Sequence, residues 1–154
     1  MGGSMGNPLR CMGLRAMAET LVRDIMSEKI VTISADDSLS TVEDIMLLGG
    51  VRHMPVVRGG QLVGVVSQRD LLRASLSNLT HYGVDQRRAF LQAVEIRRVM
   101  SEPAITITPG ARVGEAAREM AERKIGCLPV MEGGELVGML TETDLLHYYA
   151  RGPG

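Results

Sequence analysis

The sequence predicts an α+β fold built from two copies of one β-α-β-β-α unit. The main observation is an internal repeat. Residues 22–74 align without a gap with residues 96–148, and 17 of the 53 aligned positions are identical. Helical and strand patterns also follow in the same order in both copies. At 154 residues, the chain can bury one substantial core or two small ones that share an interface. We therefore expect the two copies to pack pseudo-symmetrically as one module.

Each copy begins with a short segment rich in β-branched residues, which favours a strand at Ile30 to Ile33 and at Ala104 to Ile107. A helix is predicted next, because apolar residues recur at helical spacing in both copies. In the first copy Ser40 and Glu43 have the spacing of a capping box. The apolar positions that predict the core faces of these helices are Leu39, Val42, Ile45 and Met46, and Val113, Ala116, Ala117 and Met120.

Two β runs joined by a glycine pair follow in each copy. The pairs are Gly59-Gly60 and Gly133-Gly134. Glycine allows the positive φ angles of a tight turn, so each pair of runs predicts an antiparallel hairpin. A last helix is expected to start near Asp70 and near Asp144, which completes the β-α-β-β-α order.

The repeat divides the chain into 21–75 and 96–149, with a linker at 76–95. Within the linker, residues 85–94 favour a helix with an apolar face at Phe90, Leu91 and Val94. Breakers such as Gly2-Gly3-Ser4 and Asn7-Pro8 predict a flexible extension over residues 1–20, and residues 150–154 are expected to form a short tail.

Composition argues against several classes of protein. The balance of 17 basic and 18 acidic residues provides no overall field for nucleic acid or an anionic membrane. No apolar stretch is long enough to cross a bilayer, and the N-terminus lacks the apolar run of a signal peptide. Cys11 and Cys127 form no CxxC pair, so neither a disulfide framework nor a zinc site is implied. We expect a cytoplasmic protein.

In each copy a Pro-Val pair precedes the glycine turn, and the pattern G-h-h-S/T-x-x-D follows it, where h is apolar. This order, present twice, resembles the CBS domain family. The resemblance implies two β-α-β-β-α repeats that pack as a Bateman module, and two such modules commonly form a dimer. It also implies no catalytic cofactor, and a regulatory ligand such as AMP, ADP, ATP or S-adenosylmethionine in the cleft between the repeats.

The S/T-x-x-D pattern places a hydroxyl and a carboxylate at the start of the last helix of each copy. The resemblance implies that Asp70 and Asp144 bind the ribose diol, and that Ser67 and Thr141 donate to phosphate. A carboxylate accepts two hydrogen bonds from a diol, and free amides at a helix N-terminus suit a phosphate. The same pattern is also typical of a helix cap, and the two roles are compatible.

The segment Val51-Arg52-His53-Met54-Pro55 matches a stretch that supplies basic groups to phosphates in a nucleotide-binding member of the family. Arg52 and His53 are therefore candidate phosphate contacts, although two solvent-exposed polar residues beside a strand are an alternative. Arg69 is a further candidate for nucleotide binding. The second copy has Ile125-Gly126-Cys127-Leu128-Pro129 instead, and Thr143 in place of Arg69. Its site must borrow charge or prefer less phosphate, so the two sites are expected to differ in affinity.

Adenine needs an apolar slot with backbone groups at its rim. The resemblance draws this slot from the first strand and the start of the hairpin, although the same residues also suit a plain core. The candidates are Thr32, Ser34, Val51 and Met54 in the first copy, and Thr106, Thr108, Ile125 and Leu128 in the second.

The sequence thus favours a non-catalytic sensor of adenosyl ligands, with a homodimer and an unidentified effector protein as possible partners. The alternative is a dimerising interaction scaffold with vestigial nucleotide sites. The three histidines, His53, His81 and His147, show no HxxxH or HExxH spacing, which argues against metal catalysis. Nucleic-acid binding through Arg87, Arg88, Arg97 and Arg98 is disfavoured because few aromatic residues are present for stacking.

Overall fold

A computed structural model describes residues 19–76 and 83–152. The predicted flexible extension falls almost entirely outside these residues, as do part of the linker and the last residues of the tail. In chain order the elements are α1 (Val22–Ile25), β1 (Ile33–Ser34), α2 (Leu39–Gly49), β2 (His53–Arg58), β3 (Gln61–Ser67), α3 (Gln68–Leu76), α4 (Val84–Ala93), a 3-10 turn (Ile96–Arg98), α5 (Val113–Arg123), β4 (Cys127–Glu132), β5 (Glu135–Thr141) and α6 (Glu142–Arg151).

The described residues form two compact units. The first unit comprises residues 30–105, and the second comprises residues 106–152 together with 19–29. Each unit therefore contains the segment that opens the other copy of the repeat. The bonds that hold these segments are equivalent, because the Ile96 amide donates to the Asp37 carbonyl and the Val22 amide to the Ala111 carbonyl, both at 2.9 Å.

Both predicted hairpins are confirmed. Strands β2 and β3 pair antiparallel in the first unit, and β4 and β5 do so in the second. The turn glycines Gly59 and Gly60 have φ angles of 56° and 77°, and Gly133 and Gly134 have 58° and 81°. Two positive φ angles in succession match the right-handed twist of the flanking strands. The glycine pairs thus fix the register of each hairpin.

The predicted first strands are shorter than expected. In the first unit the predicted strand is reduced to the two residues of β1. This strand pairs in parallel with β2, through Ile33 with Val56 and Ser34 with Val57. In the second unit a single parallel bridge joins Ile107 to Val130. The residues before these points belong to no strand. High β propensity reflects fit to a pleated surface rather than actual pairing, so the pattern overestimated the strands.

The helical stripes face the cores as predicted. Leu39, Val42 and Met46 of α2 are buried in the first unit, and Val113, Ala116 and Met120 of α5 in the second. The predicted α4 is confirmed as well, and its Leu91 is fully buried among the residues of the first core. The described part of the second unit has no helix equivalent to α4.

The capping box predicted from Ser40 and Glu43 is wrong. Helix α2 begins at Leu39 with Ser38 as its N-cap, so Ser40 lies inside the first turn. Its hydroxyl is 2.8 Å from that of Ser38, and Glu43 pairs with Arg87 of α4 instead. The burial of Leu39 sets where the helix begins, and this overrides the sequence spacing.

Candidate functional site

The last helix of each unit begins with a reciprocal cap. The Ser67 amide and hydroxyl both donate to Oδ2 of Asp70, at 2.8 and 2.7 Å, and the Asp70 amide returns a 3.2 Å bond to the hydroxyl. Thr141 and Asp144 repeat the arrangement at 2.8, 2.7 and 3.3 Å. The pattern is therefore a capping box in both units.

This cap leaves one carboxylate oxygen of each aspartate available. Both bonds from Ser67 or Thr141 end on Oδ2, and within the described residues Oδ1 of Asp70 and of Asp144 accepts none. The hydroxyl proton, by contrast, is already donated to the carboxylate. Since a hydroxyl has one proton, Ser67 and Thr141 can donate to a phosphate only after giving up that bond.

The start of β2 lies directly beside the start of α3. The Gln68 amide donates to the Arg52 carbonyl at 2.8 Å, and His53 is the cross-strand partner of Ser67. The predicted residues Arg52, His53, Ser67, Arg69 and Asp70 are thus brought together at one end of the first hairpin. The side chains of both arginines are exposed, and neither forms an ion pair with a described residue.

The second unit assembles the equivalent positions without the cations. The Glu142 amide donates to the Gly126 carbonyl at 3.0 Å, and Cys127 is the cross-strand partner of Thr141. The backbone is therefore the same as in the first unit. Gly126 and Thr143 stand where the first unit has arginines, as the sequence comparison predicted.

Most of the apolar candidates are core residues. Met54 and Leu128 are essentially inaccessible to solvent, and Pro55 and Pro129 are buried within their strands. Val51 and Ile125, just before the strands, are half-buried. The sequence left two interpretations of these residues open, an adenine slot or a plain core. The burial of Met54 and Leu128 favours the core interpretation for those two residues, whereas Val51 and Ile125 remain candidates for an adenine contact.

The hydroxyl candidates from the first strands are more distant. Ser34 pairs with Val57, four residues along β2 from His53, which corresponds to about 13 Å along a strand. Its amide donates to Asp37 at 3.0 Å in a local turn. Thr32 is exposed and precedes Ile33, which pairs with β2. Thr106 and Thr108 are also exposed and flank Ile107, which pairs with β4. Ser34 is therefore not brought to the same end of the hairpin as Asp70.

Two residues at this end were missed by the sequence reasoning. Gln68 and Glu142 begin α3 and α6, and their amides bind the residues just before the strands. Both side chains are exposed. The aligned repeat contained the signal, because this position is neutral in one copy and acidic in the other.

Other kinds of site have no counterpart in the described parts of the chain. Residues 19–76 and 83–152 contain no group of three or more His, Cys, Asp or Glu side chains that could hold a metal ion. The same residues include no helix long and apolar enough to cross a membrane.

The comparison with family models identifies the class. The CBS domain model matches residues 22–77 and 96–151, so the chain belongs to the CBS domain family. It contains two CBS repeats. The resemblance predicted from the paired motifs is thereby confirmed.

Several known proteins share this architecture. A CBS domain-containing protein of Dictyostelium discoideum is 32% identical over 83% of this chain and 90% of its own. The CBS domain of a membrane protein from Sphaerobacter thermophilus has a TM-score of 0.77 at 30% identity, covering 91% of this chain and 94% of that one. The CBS domain pair of protein MJ0100, in complex with 5′-methylthioadenosine and S-adenosyl-L-methionine, has a TM-score of 0.72 at 25% identity, covering 86% and 97%.

Other relatives are much longer. A homoserine O-acetyltransferase of Methanosphaerula palustris is 30% identical over 90% of this chain, yet the match spans 26% of that protein. This chain therefore spans only about a quarter of the length of that relative.

Proposed function

We propose that this chain is a non-catalytic regulatory module that binds an adenosyl ligand, with one site at the start of the last helix of each unit. AMP, ADP, ATP and S-adenosylmethionine are the candidate ligands. Membership of the CBS family supports the class of ligand, and the MJ0100 pair was solved with two adenosyl compounds. We also propose that the protein acts in the cytoplasm and regulates an effector protein.

The observation that carries this proposal is the carboxylate at each cap. The cap holds Asp70 and Asp144 in one orientation through bonds to Oδ2, while Oδ1 accepts no bond from any described residue. A fixed carboxylate oxygen is well suited to accept hydrogen bonds from a ribose diol, because its geometry is set before the ligand arrives. Half-burial of both aspartates strengthens such bonds relative to water.

Asp70→Ala tests the site in the first unit by calorimetry with AMP, ADP, ATP, S-adenosylmethionine and NADH. Loss of charge-assisted bonds to the diol is expected to weaken binding by about 1.5–3 kcal/mol. Loss of the cap should lower the free energy of unfolding by only about 1 kcal/mol. Asp144→Ala is expected to affect the second site in the same way but less strongly.

Glu115→Ala provides the matched control. Glu115 also closes a helix N-terminus, through a 3.1 Å bond from the Arg112 amide, but α5 is remote in sequence from the proposed sites. This variant should lose stability without losing ligand affinity. Unchanged affinity in Asp70→Ala, together with a lowered melting temperature, would show that S/T-x-x-D serves only as a cap.

We propose binding without turnover. ATP hydrolysis above background that disappears in Asp70→Ala or Asp144→Ala would contradict this part of the proposal. Phosphate release by the purified chain, followed over hours with saturating ATP, provides the measurement.

Self-association is the second candidate function, and it corresponds to the interaction scaffold considered from the sequence. Large apolar side chains are exposed on the last helix of each unit, namely Leu72 and Leu76 on α3, and Leu146 and Tyr149 on α6. Leu71 does not contribute, because it is buried in the first core. Exposed apolar groups of this kind favour a homodimer. A monomer at micromolar concentration in sedimentation would rule it out.

A further inference from the structure

We infer that the two sites select ligands by opposite charge: the first unit takes a phosphorylated adenosyl ligand, and the second takes one without phosphate, preferably with a cationic sulfonium at the 5′ position. This inference rests on the proposed function, since it assigns the class of ligand to each of the two sites. It follows from side chains that differ on an otherwise equivalent backbone.

The first site carries more positive than negative charge. Arg52 and Arg69 both lie at the start of α3. The Arg52 carbonyl accepts the hydrogen bond from the Gln68 amide, and Arg69 lies on the first turn of the helix. Neither guanidinium forms an ion pair with a described residue, so both are available to an anion. Asp70 is the only acid in this first turn. Arginine can bind phosphate through two parallel hydrogen bonds, which suits a ligand with one or more phosphates.

The second site carries a net negative charge. Glu142 and Asp144 both lie in the first turn of α6, and within the described residues neither takes part in an ion pair. Gly126 and Thr143 supply no cation. The nearest lysine or arginine before Gly126 is Lys124, the C-cap residue of α5. Two carboxylates at the helix start repel a phosphate and attract a sulfonium, so the ranking of ligands is reversed.

These charges are close enough to matter under physiological conditions. Each of these charged residues lies within a few residues of the cap along the chain or at the start of the neighbouring strand. Screening in 0.15 M salt takes effect over about 8 Å, so charges this near to a bound ligand still act on it. Because Arg52, Arg69 and Glu142 are exposed and the two aspartates are only half-buried, the preference should weaken as salt is added. Salt dependence therefore provides a second measure of the same effect.

Calorimetry on two single-site proteins tests the inference. Asp144→Ala retains the first site, and Asp70→Ala retains the second. The probes are 5′-methylthioadenosine, which has no phosphate and no charge, AMP, ATP and S-adenosylmethionine. At the first site ATP should bind about tenfold or more tightly than 5′-methylthioadenosine. At the second site ATP should bind more weakly than 5′-methylthioadenosine, and S-adenosylmethionine more tightly.

Exchanging the residues between the copies should exchange the preferences. Arg52→Gly with Arg69→Thr gives the first site the residues of the second at these two positions, and should remove its preference for ATP. Glu142→Gln with Thr143→Arg should give the second site an affinity for ATP. Arg73→Thr and Ala150→Arg change the net charge in the same directions, each by one unit rather than two, at exposed positions later in α3 and α6, and should leave both rankings unchanged.

The outcomes separate the inference from the proposed function. If 5′-methylthioadenosine binds both single-site proteins but both rank the four ligands alike, the charge assignment is overturned and the proposed function stands. If the control substitutions move the rankings as much as the exchanges do, net charge rather than the site is responsible, and the assignment is also overturned. If none of the four ligands binds the unmodified chain, the proposed function fails and the inference fails with it.

Discussion

The first and second units place equivalent backbone hydrogen bonds at residues 74 positions apart, yet they surround these bonds with different side chains. Ser101 bridges to Val65 in the first unit, and Ser27 bridges to Met139 in the second. The Leu39 amide binds the Val94 carbonyl, and the Val113 amide binds the Thr20 carbonyl, both at 2.9 Å. The hairpins and caps are shared, while the charges beside the caps are not.

The comparison shows which features the duplicated fold needs. Glycine turns, capping boxes and the exchanged opening segments satisfy backbone groups that would otherwise be unpaired in both units. Side chains at the start of the last helix satisfy no such requirement, so they can diverge without loss of the fold. Differences between the units should therefore appear in stability where packing differs and in ligand preference where charge differs.

Leu91→Ala is expected to have the largest effect on stability. Leu91 is fully buried on α4, a helix without an equivalent in the described part of the second unit. Removing its side chain leaves a cavity, and the free energy of unfolding should fall by about 3 kcal/mol. Gln92→Ala, at an exposed position on the same helix, is the control. Denaturant unfolding provides the measurement, and a loss below about 1 kcal/mol would mean that α4 packs loosely.

The next largest effect is expected at two equivalent glycines. A Cβ at Gly64 would lie 2.6 Å from the carbonyl oxygen of Ser101, whereas one at Gly138 would lie 2.6 Å from the sulfur of Met26. A backbone oxygen cannot easily move, but a methionine end can adopt another rotamer. Gly64→Ala should therefore cost about 2–3 kcal/mol and Gly138→Ala about 1 kcal/mol. Equal losses of stability for the two variants in thermal melts would contradict this, and would show that the two opening segments adjust to the added Cβ equally well.

Much of this fold was predictable from the sequence because local patterns and long-range packing agree. Gly59-Gly60 and Gly133-Gly134 specify the hairpins directly, and the apolar spacing of α2 and α5 specifies their core faces. Where two local rules competed, the sequence was insufficient. Ser40 has cap spacing, but the need to bury Leu39 moved the start of the helix.

The candidate site was predictable in its residue types but less so in its geometry. The repeat pointed to Asp70, Asp144 and the missing cations of the second copy. It did not reveal that the hydroxyl proton of Ser67 is donated to Asp70, or that Ser34 lies at the other end of the hairpin. Nor did it reveal that each unit contains the opening segment of the other copy, because pairings distant in sequence leave no periodic pattern.

The ends of α2 and α5 offer a smaller, opposite pair of effects. The C-cap residues of both helices lie in the left-handed region, Gly50 with φ 63° and Lys124 with φ 55°. Glycine adopts this conformation freely, whereas a side chain costs about 1 kcal/mol there. Lys124→Gly should raise the free energy of unfolding by about 0.5–1 kcal/mol, and Gly50→Ala should lower it by about 1 kcal/mol. Destabilisation by Lys124→Gly would indicate that the lysine side chain contributes contacts of its own.

The smallest expected effects come from two neighbouring ion pairs that join α4 to α2. Arg87 and Glu43 are 2.5 Å apart, with side chains 33% and 24% exposed, whereas Arg88 and Asp44 are 3.4 Å apart and about half exposed. The hydrogen bond that Arg87 donates to Glu43 raises the pKa of Arg87 above its ordinary value, and burial opposes this effect. The Arg87 guanidinium therefore stays charged wherever the protein is folded, so salt rather than pH is the useful variable.

Double-mutant cycles with alanine at each pair should separate their contributions. The Glu43–Arg87 coupling should be about 0.5 kcal/mol, because the pair is partly shielded and Arg87 also lies 3.5 Å from the hydroxyl of buried Ser75. The Asp44–Arg88 coupling should be close to zero, since exposed pairs lose in side-chain entropy what they gain in attraction. At 1 M salt, where screening acts over about 3 Å, the Glu43–Arg87 coupling should fall much less than the coupling of a fully exposed ion pair would. Equal couplings that vanish together in salt would show that α4 is held by Leu91 and its apolar face alone.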